Sequence, residues 1–278
     1  MDSITVRRTS VDVDGWATSY LTAGNGPVVL LLHGTYWSRV WLPVVGRLAA
    51  AGLRPVAVDL PGCGCSEGEL TLKAATVPEL AAWLVRFHAA LGDAEPVAIA
   101  GHDIGGAVAQ HALVAEGFEV GRLALVNSVT YDSWPVPGVA RYRDPDVVAA
   151  TTTRDILAAR RKALTAALAR PATDDELAEY LAPWADLRVA RSWMALAGAA
   201  DSRYTLELVG ALRDSPVPKL LVWGEDDAFQ PVSYAERFAA EMPRSKLVRV
   251  PEAGHIPMEN DPVMVADALS AFFTEDRW

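Results

Sequence analysis

The chain has 278 residues, and its 25 lysines and arginines stand against 35 aspartates and glutamates, a formal charge of −10. This acidic balance repels the phosphates of nucleic acids and anionic membranes, so we expect neither as a partner. About half of the residues (51%) are hydrophobic, and a chain of this length buries a large core without disulfide or metal staples.

The two cysteines, Cys63 and Cys65, stand one residue apart in a turn-like segment. This spacing disfavours a disulfide and lacks the second pair that a zinc site needs, so we expect free thiols and no metal. The sequence shows neither an apolar leader near its first residues nor a run of about 20 apolar residues. We therefore expect a cytoplasmic protein.

Short runs rich in β-branched residues and leucine predict buried strands. In chain order they are 27–32, 54–59, 96–100, 122–126, 219–223 and 246–250. Amphipathic stretches between them, such as 77–91 and 232–241, predict helices. This alternation indicates an α/β fold, with a mostly parallel central sheet flanked by helices.

The interval 128–217 interrupts that alternation. It contains no strand-like run and shows helical periodicity at 153–168, 174–181 and 189–197. We therefore predict an inserted helical domain at 128–217, between core segments 1–127 and 218–278. In open α/β sheets ligands bind beyond the carboxyl ends of the strands, so the residues that close each strand are the candidates for a site.

The most informative motif is Gly101-His-Asp-Ile-Gly-Gly106, which follows one predicted strand and precedes a helical stretch. It matches the nucleophile elbow Gly-x-Ser-x-Gly, in which glycines permit a strained turn, with Asp103 in place of serine. A carboxylate is ionised near neutral pH and attacks saturated carbon directly, which leaves an alkyl ester. In the alternative interpretation, Asp103 caps the next helix in a surface turn.

Other strand ends supply the remaining groups for such chemistry. The turn 32–35, which reads Leu-His-Gly-Thr, predicts an oxyanion hole made by the backbone N–H groups of Thr35 and Ile104. Asp227 and His255 follow later strands, in the chain order nucleophile, acid, histidine. In this arrangement His255 takes a proton from water and Asp227 fixes its tautomer. In the alternative interpretation of each residue by itself, Asp227 caps the next helix and His255 is a packed loop histidine.

With these motifs the chain resembles α/β-hydrolase-fold enzymes of the aspartate-nucleophile branch, the epoxide hydrolases and haloalkane dehalogenases. The resemblance spans about residues 20 to 275, and it implies that the insertion is a helical cap. It further implies a cofactor-independent hydrolase of apolar small molecules, which we expect to be a monomer or homodimer.

Several activities remain open within this resemblance. We expect an epoxide hydrolase that forms a vicinal diol, with haloalkane dehalogenation as the alternative reaction. A ligand-binding receptor on a hydrolase scaffold is the alternative of another class. Ester hydrolysis fits less well, because attack of Asp103 on an acyl carbon would form an anhydride.

The residue after the nucleophile is Ile104, where relatives that act on haloacids place arginine and many haloalkane dehalogenases place tryptophan. A haloacid is therefore disfavoured as the substrate. Asn127 occupies the position from which some dehalogenases take their triad acid, which leaves Asp227 as the expected acid.

The resemblance to epoxide hydrolases implies cap tyrosines that donate hydrogen bonds to the leaving oxygen. The candidates are Tyr131, Tyr142, Tyr180 and Tyr204, among which we expect Tyr204 and Tyr142 to act. Tyr36 stands where epoxide hydrolases often have proline, and we expect it to face the pocket. The tryptophans considered as donors to a leaving halide, or as pocket wall, are Trp37, Trp134, Trp184 and Trp193.

Overall fold

The structure is a computed structural model that describes residues 4–93, 96–114 and 118–275. Its strands are β1 (Arg7–Val13), β2 (Trp16–Thr22), β3 (Val28–Leu32), β4 (Arg54–Val58), β5 (Val97–Asp103), β6 (Val120–Ser128), β7 (Lys219–Gly224) and β8 (Ser245–Val250). They form one eight-stranded sheet in the order β1-β2-β4-β3-β5-β6-β7-β8. β2 pairs antiparallel with β1 and with β4, and the other neighbours pair in parallel.

The described helices of the core are α1 (Leu42–Ala50), α2 (Val77–Leu91), α3 (Ile104–Val114), α10 (Val232–Glu241), α11 (Pro257–Asn260) and α12 (Pro262–Thr274). Between β6 and β7 lie α4 (Pro145–Ala150), α5 (Thr153–Leu168), α6 (Asp174–Leu181), α7 (Leu187–Gly198), α8 (Arg203–Leu206) and α9 (Val209–Asp214). We call this segment, residues 129–218, the helical insertion. Short 3₁₀ helices cover Ser38–Trp41, Val139–Arg143 and Ala182–Ala185.

The core lies on both faces of the sheet, as expected for buried parallel strands. Along β3, Val29 and Leu31 pack into one hydrophobic cluster, and Leu30 and Leu32 into the other. All four side chains are fully buried. Because successive side chains point to opposite faces of a strand, one apolar run fills both layers. The predicted fold, a mostly parallel sheet flanked by helices, is confirmed.

The antiparallel edge of the sheet, β1 and β2, was not among the predicted strands. β1 lies mostly at the surface, and the buried positions of β2 are mostly polar (Thr18, Ser19 and Thr22), so neither strand shows a run of apolar residues. A signal was nevertheless present at Asp14-Gly15, which has positive φ at both residues (56° and 84°) and joins the two strands. An Asp-Gly pair between alternating segments is a strong hairpin signal.

The parallel order brings the ends of β3, β5, β6, β7 and β8 to one edge of the sheet. Asp103 ends β5, and Thr35, Asp227 and His255 lie in the loops that follow β3, β7 and β8. In the described part of the chain, each helix is too short or too polar to cross a membrane. The ends of the predicted core segments, residues 1–3 and 276–278, lie outside the described residues.

Candidate active site

Asp103 ends β5 in a strained turn that leads directly into α3. Its φ of 53° lies in the left-handed region, which only aspartate, asparagine and glycine visit readily. The backbone of Gly34 comes so close that a Cβ there would lie 2.5 Å from Oδ2 of Asp103. A Cβ on Gly106 would meet the Ser128 hydroxyl at 1.7 Å. The glycines of both motifs therefore permit the turn that presents this carboxylate.

The carboxylate of Asp103 is held through one oxygen. Its Oδ2 accepts the backbone N–H of Thr35 at 2.9 Å and the hydroxyl of Thr35 at 2.8 Å. Ile104 is the first residue of α3, where a backbone N–H has no acceptor within the helix. Thr35 and Ile104 thus stand where the oxyanion hole was predicted. The Thr35 hydroxyl is a further donor that the sequence motif did not indicate.

His255 connects the two carboxylates. Its Nδ1 donates to Oδ2 of Asp227 at 2.8 Å, and its Nε2 lies 3.9 Å from Oδ2 of Asp103. All three side chains are buried. The structure therefore brings the predicted nucleophile, acid and histidine together in one cluster.

The charges in this cluster shift its pKa values strongly. Burial alone would lower the pKa of His255, but Asp227 and Asp103 outweigh it and raise that pKa to about 10. Burial would raise the pKa of Asp103, whereas His255, His102 and the Thr35 N–H lower it well below the usual range. At this cluster we therefore expect an imidazolium between two carboxylates.

Asn127 and His102 position this cluster, and neither role was predicted from the sequence. Asn127, at the end of β6, donates from Nδ2 to Oδ2 of Asp227 at 2.7 Å and accepts the Gly224 N–H at 2.9 Å. His102 donates from Nε2 to the backbone carbonyl of His255 at 2.7 Å. Burial and the charge of His255 lower the pKa of His102 to about 4, so it is neutral.

His33 braces the oxyanion turn. Its Nε2 accepts the Leu60 N–H at 2.9 Å, so its Nδ1 carries the proton that it donates to the Gly34 carbonyl at 2.9 Å. Burial lowers its pKa, which keeps the ring neutral. This histidine is a structural residue of the turn.

A cavity of about 320 Å³ opens above Asp103 and His255. Among the expected pocket residues it is lined by Tyr36, Tyr142 and Trp193. Burial raises the pKa of Tyr36 to about 12, against the opposing effect of Arg160, so its phenol is a hydrogen-bond donor near neutral pH. The indole N–H of Trp193 is buried and has no acceptor among the described residues.

Three expected pocket residues do not line this cavity. Tyr204 packs against the hydrophobic cluster on the α3 side of the sheet. Trp134 is buried in the same cluster and donates its N–H to the Thr205 hydroxyl at 2.7 Å. Trp37 donates its N–H to the Tyr180 carbonyl at 3.1 Å. Because both indole donors are engaged in the protein and Tyr204 lies elsewhere, none of the three is proposed as a leaving-group residue.

The other residues considered in the insertion also have structural partners. Tyr131 contacts Glu241, Tyr180 donates to Glu259 at 2.8 Å, and Trp184 packs edge-on against Tyr36. The cavity instead contains two residues that the sequence did not single out, Arg141 and Arg160. Within residues 4–93, 96–114 and 118–275, no group of three His, Cys, Asp or Glu side chains is placed to hold a metal ion.

Comparison with known proteins agrees with this architecture. The model of the Alpha/beta hydrolase family matches residues 29–268. An uncharacterized protein of Mycobacterium tuberculosis is 28% identical over 284 residues, which cover 94% of this chain and 79% of that protein. A soluble epoxide hydrolase of Corynebacterium sp. (strain C12) is 26% identical over 292 residues, covering 95% of this chain and 96% of that enzyme.

Among solved structures, an ancestral haloalkane dehalogenase superimposes with a TM-score of 0.80 at 26% identity. The alignment covers 97% of this chain and 98% of that structure. The family model spans most of the sequence, including every strand end that contributes to the site. The chain therefore belongs to the alpha/beta hydrolase family.

Proposed function

We propose that this protein is a cofactor-independent hydrolase that opens an epoxide to a vicinal diol through an ester on Asp103. The observation that carries this proposal is the Asp103 carboxylate itself. It sits at the nucleophile elbow, and its Oδ2 accepts two hydrogen bonds from Thr35. It also faces His255, which Asp227 orients. The similarity to the Corynebacterium epoxide hydrolase supports the same reaction.

In the first half-reaction, Oδ1 of Asp103 attacks one epoxide carbon while Thr35 keeps Oδ2 in place. The carbon–oxygen bond of the epoxide breaks, and the developing alkoxide takes a proton from a phenol of the cavity. Tyr36 and Tyr142 are the proposed donors. Each phenol has an arginine beside it: Arg160 acts on Tyr36, and Arg141 donates to the Tyr142 hydroxyl at 2.7 Å. The charge of Arg160 opposes the effect of burial on the pKa of Tyr36 and so makes that phenol a better acid.

In the second half-reaction, His255 removes a proton from water, and the hydroxide attacks Cγ of the Asp103 ester. The tetrahedral oxyanion forms on Oδ2, where the Thr35 N–H and hydroxyl already donate and the Ile104 N–H is proposed to join them. Collapse of this intermediate breaks the bond between Cγ and the alkyl-bearing oxygen. The diol then leaves with the proton that the new carboxyl group gives up.

The charge on Asp103 controls the proton on His255. In the resting enzyme two carboxylates hold His255 in its protonated form. Esterification removes one of them, so the imidazolium becomes more acidic and returns its proton, through solvent, to the phenolate. His255 is then neutral, as the hydrolytic step requires, and that step restores the starting protonation state.

Haloalkane dehalogenation is the second candidate, and one specific observation favours it. The Trp193 N–H is buried beside the cavity and finds no acceptor in the described part of the chain, and such a donor stabilises a departing halide. The similarity to the ancestral haloalkane dehalogenase points the same way. We rank the epoxide first because Tyr36 and Tyr142 supply the proton that an alkoxide needs and a halide does not.

An isotope experiment tests the proposal, with styrene oxide and 1-bromobutane offered side by side as probes. One turnover in heavy-oxygen water should release diol without label and leave the label in the peptide that contains Asp103. Label in the product of that first turnover would instead show direct attack by water. Tight binding of either probe without turnover would favour the receptor alternative.

A further inference from the structure

The guanidinium of Arg160, on α5 of the helical insertion, is buried beside the proposed nucleophile. Arg160 as a whole is 5% exposed, and it lines the cavity above Asp103. The rings of Tyr36, Trp184 and Trp193 surround it, with the guanidinium carbon 4.6 to 4.9 Å from their centroids. Arginine therefore reaches the site through an aromatic cage that fixes its position.

This cation is under-compensated by the protein. Its Nη2 donates to the backbone carbonyl of Thr35 at 2.9 Å, and the guanidinium also interacts with the Tyr36 phenol, but its Nε has no acceptor among the described residues. Within the same residues, no carboxylate forms an ion pair with it at 4.0 Å or less. A buried charge without a carboxylate to pair with is costly, and natural proteins pair such charges or use them for a ligand.

Thr35 links this cation to the nucleophile. Its carbonyl accepts from Arg160, while its N–H donates to Asp103 at 2.9 Å. Two hydrogen bonds and one residue therefore separate Nη2 of Arg160 from Oδ2 of Asp103, a path shorter than about 10 Å. This distance matches a small molecule whose anionic group lies only a few bonds from its reacting carbon.

A second cation stands at the edge of the same cavity. Arg141 is exposed, stacks on Tyr142 with its guanidinium carbon 4.8 Å from the ring centroid, and lines the cavity. Around this cavity the cations Arg141, Arg160 and His255 outnumber the carboxylates of Asp103 and Asp227, which gives a local positive field in a protein of net charge −10. Such a field attracts an anionic substrate and offsets its repulsion from Asp103.

We propose that Arg160 binds a carboxylate of the substrate, so that the enzyme acts on small epoxides that carry a carboxylate close to the ring. This inference rests on the proposed function and names its substrate class. A planar guanidinium matches a carboxylate in a bidentate fork, which an amide or ester cannot reproduce. Haloacids are disfavoured because Ile104 and the start of α3 provide no arginine, whereas Arg160 comes from the insertion.

In the competing account, acidification of Tyr36, as in the proposed reaction, is the only role of Arg160. In that case the arginine serves neutral and anionic substrates equally. The two accounts differ in charge selectivity, because only a carboxylate-binding arginine distinguishes an acid from its amide.

The test compares 3-phenyloxirane-2-carboxylate with 3-phenyloxirane-2-carboxamide, which share the same epoxide. We expect kcat/KM of the unmodified enzyme to be about 100-fold higher for the carboxylate. Arg160→Met should remove this preference by raising KM for the carboxylate, and Arg160→Lys should retain about a tenth of it. Arg161→Met is the matched control, since Arg161 is exposed on the same helix.

Equal kcat/KM for acid and amide in the unmodified enzyme would overturn the inference, even if the substituted proteins do not fold. An equal loss for both substrates in Arg160→Met would also overturn it and would favour the acidification of Tyr36.

A binding measurement distinguishes failure of the anion site from failure of the proposed reaction. Calorimetric titration with 3-phenylpropanoate and 3-phenylpropanamide needs no epoxide opening. Tighter binding of the carboxylate that Arg160→Met abolishes would support the anion site even if Asp103 forms no ester. Equal binding of both probes would reject the anion site while leaving epoxide opening intact.

Discussion

Asn127 donates a hydrogen bond to the same oxygen of Asp227 that accepts a hydrogen bond from His255. The amide nitrogen lies 2.7 Å from Oδ2 of Asp227, and the imidazole Nδ1 lies 2.8 Å from it. Two backbone N–H groups, of Phe229 and Gln230, bind the other oxygen at 2.7 and 3.0 Å. Burial would raise the pKa of Asp227, but the charge and hydrogen bond of His255, followed by the hydrogen bonds of Asn127 and the Gln230 N–H, keep that pKa below its ordinary value.

Removal of the Asn127 amide should weaken both the fold and the hydrolytic step. Asn127→Gly suits the observed φ of 39° and deletes a hydrogen bond to a buried charge, which should lower the free energy of unfolding by about 2 kcal/mol. Denaturant unfolding measures this change. Glu252→Gly is the matched control, because Glu252 is exposed and has a φ of 52°. Equal destabilisation by both substitutions would contradict the role given to the amide.

The charge coupling between Asp103 and His255 predicts a change in the imidazole titration. Asp103→Asn preserves a residue type that tolerates the left-handed turn but removes one of the carboxylates that stabilise the imidazolium. The pKa of His255 should therefore fall below its value of about 10. Nitrogen NMR of labelled histidine follows the titration, and His255→Gln assigns the signal. An unaltered titration would show that Asp103 does not control this proton.

The same shifts predict how stability depends on pH. His255 has a folded pKa above its ordinary 6.5, so its contribution is fully present below pH 6.5 and is lost as the pH rises through about 10. Asp103 has a lowered pKa, so its contribution is present above its ordinary 3.8 and is lost under strongly acidic conditions. The Tm difference between the unmodified protein and His255→Gln should be larger at about pH 6 than at about pH 10. A difference independent of pH would disagree with the imidazolium assignment.

The Thr35 hydroxyl should contribute to turnover separately from the Thr35 N–H. Thr35→Val keeps the shape and the backbone donor but deletes the hydroxyl bond to Oδ2 of Asp103. We expect kcat to fall about 10- to 100-fold, since one oxyanion donor among several is lost. Thr35→Ser retains the hydroxyl and should keep most of the activity. Equal kcat values for Thr35→Val and Thr35→Ser in steady-state kinetics would contradict this role.

Much of the core followed from the sequence because its signals are local. Buried parallel strands and helices such as Thr153–Leu168 carry strong periodicity, and the structure has these elements. The triad also follows from local signals, since each member directly succeeds a strand whose end the parallel order fixes.

The cavity wall could not be predicted in the same way, because it depends on which face of each inserted helix meets the sheet. Tyr204 and Tyr142 occupy similar sequence settings, yet one packs against α3 and the other lines the cavity. Arg160 stands next to the exposed Arg161 in a polar helix, and only the tertiary cage of aromatic rings distinguishes the two. Asn127 likewise acquires its role from Asp227, which lies a hundred residues away along the chain.

Intact-mass spectrometry of His255→Gln tests the central claim, a covalent bond between Asp103 and the substrate, most directly. Glutamine cannot activate water, so incubation with an epoxide that the unmodified enzyme consumes should add the full mass of that epoxide, located by peptide mapping at Asp103. The double variant Asp103→Asn with His255→Gln should show no addition. Loss of turnover in His255→Gln without any adduct, or an adduct that persists in the double variant, would contradict nucleophilic attack by Asp103.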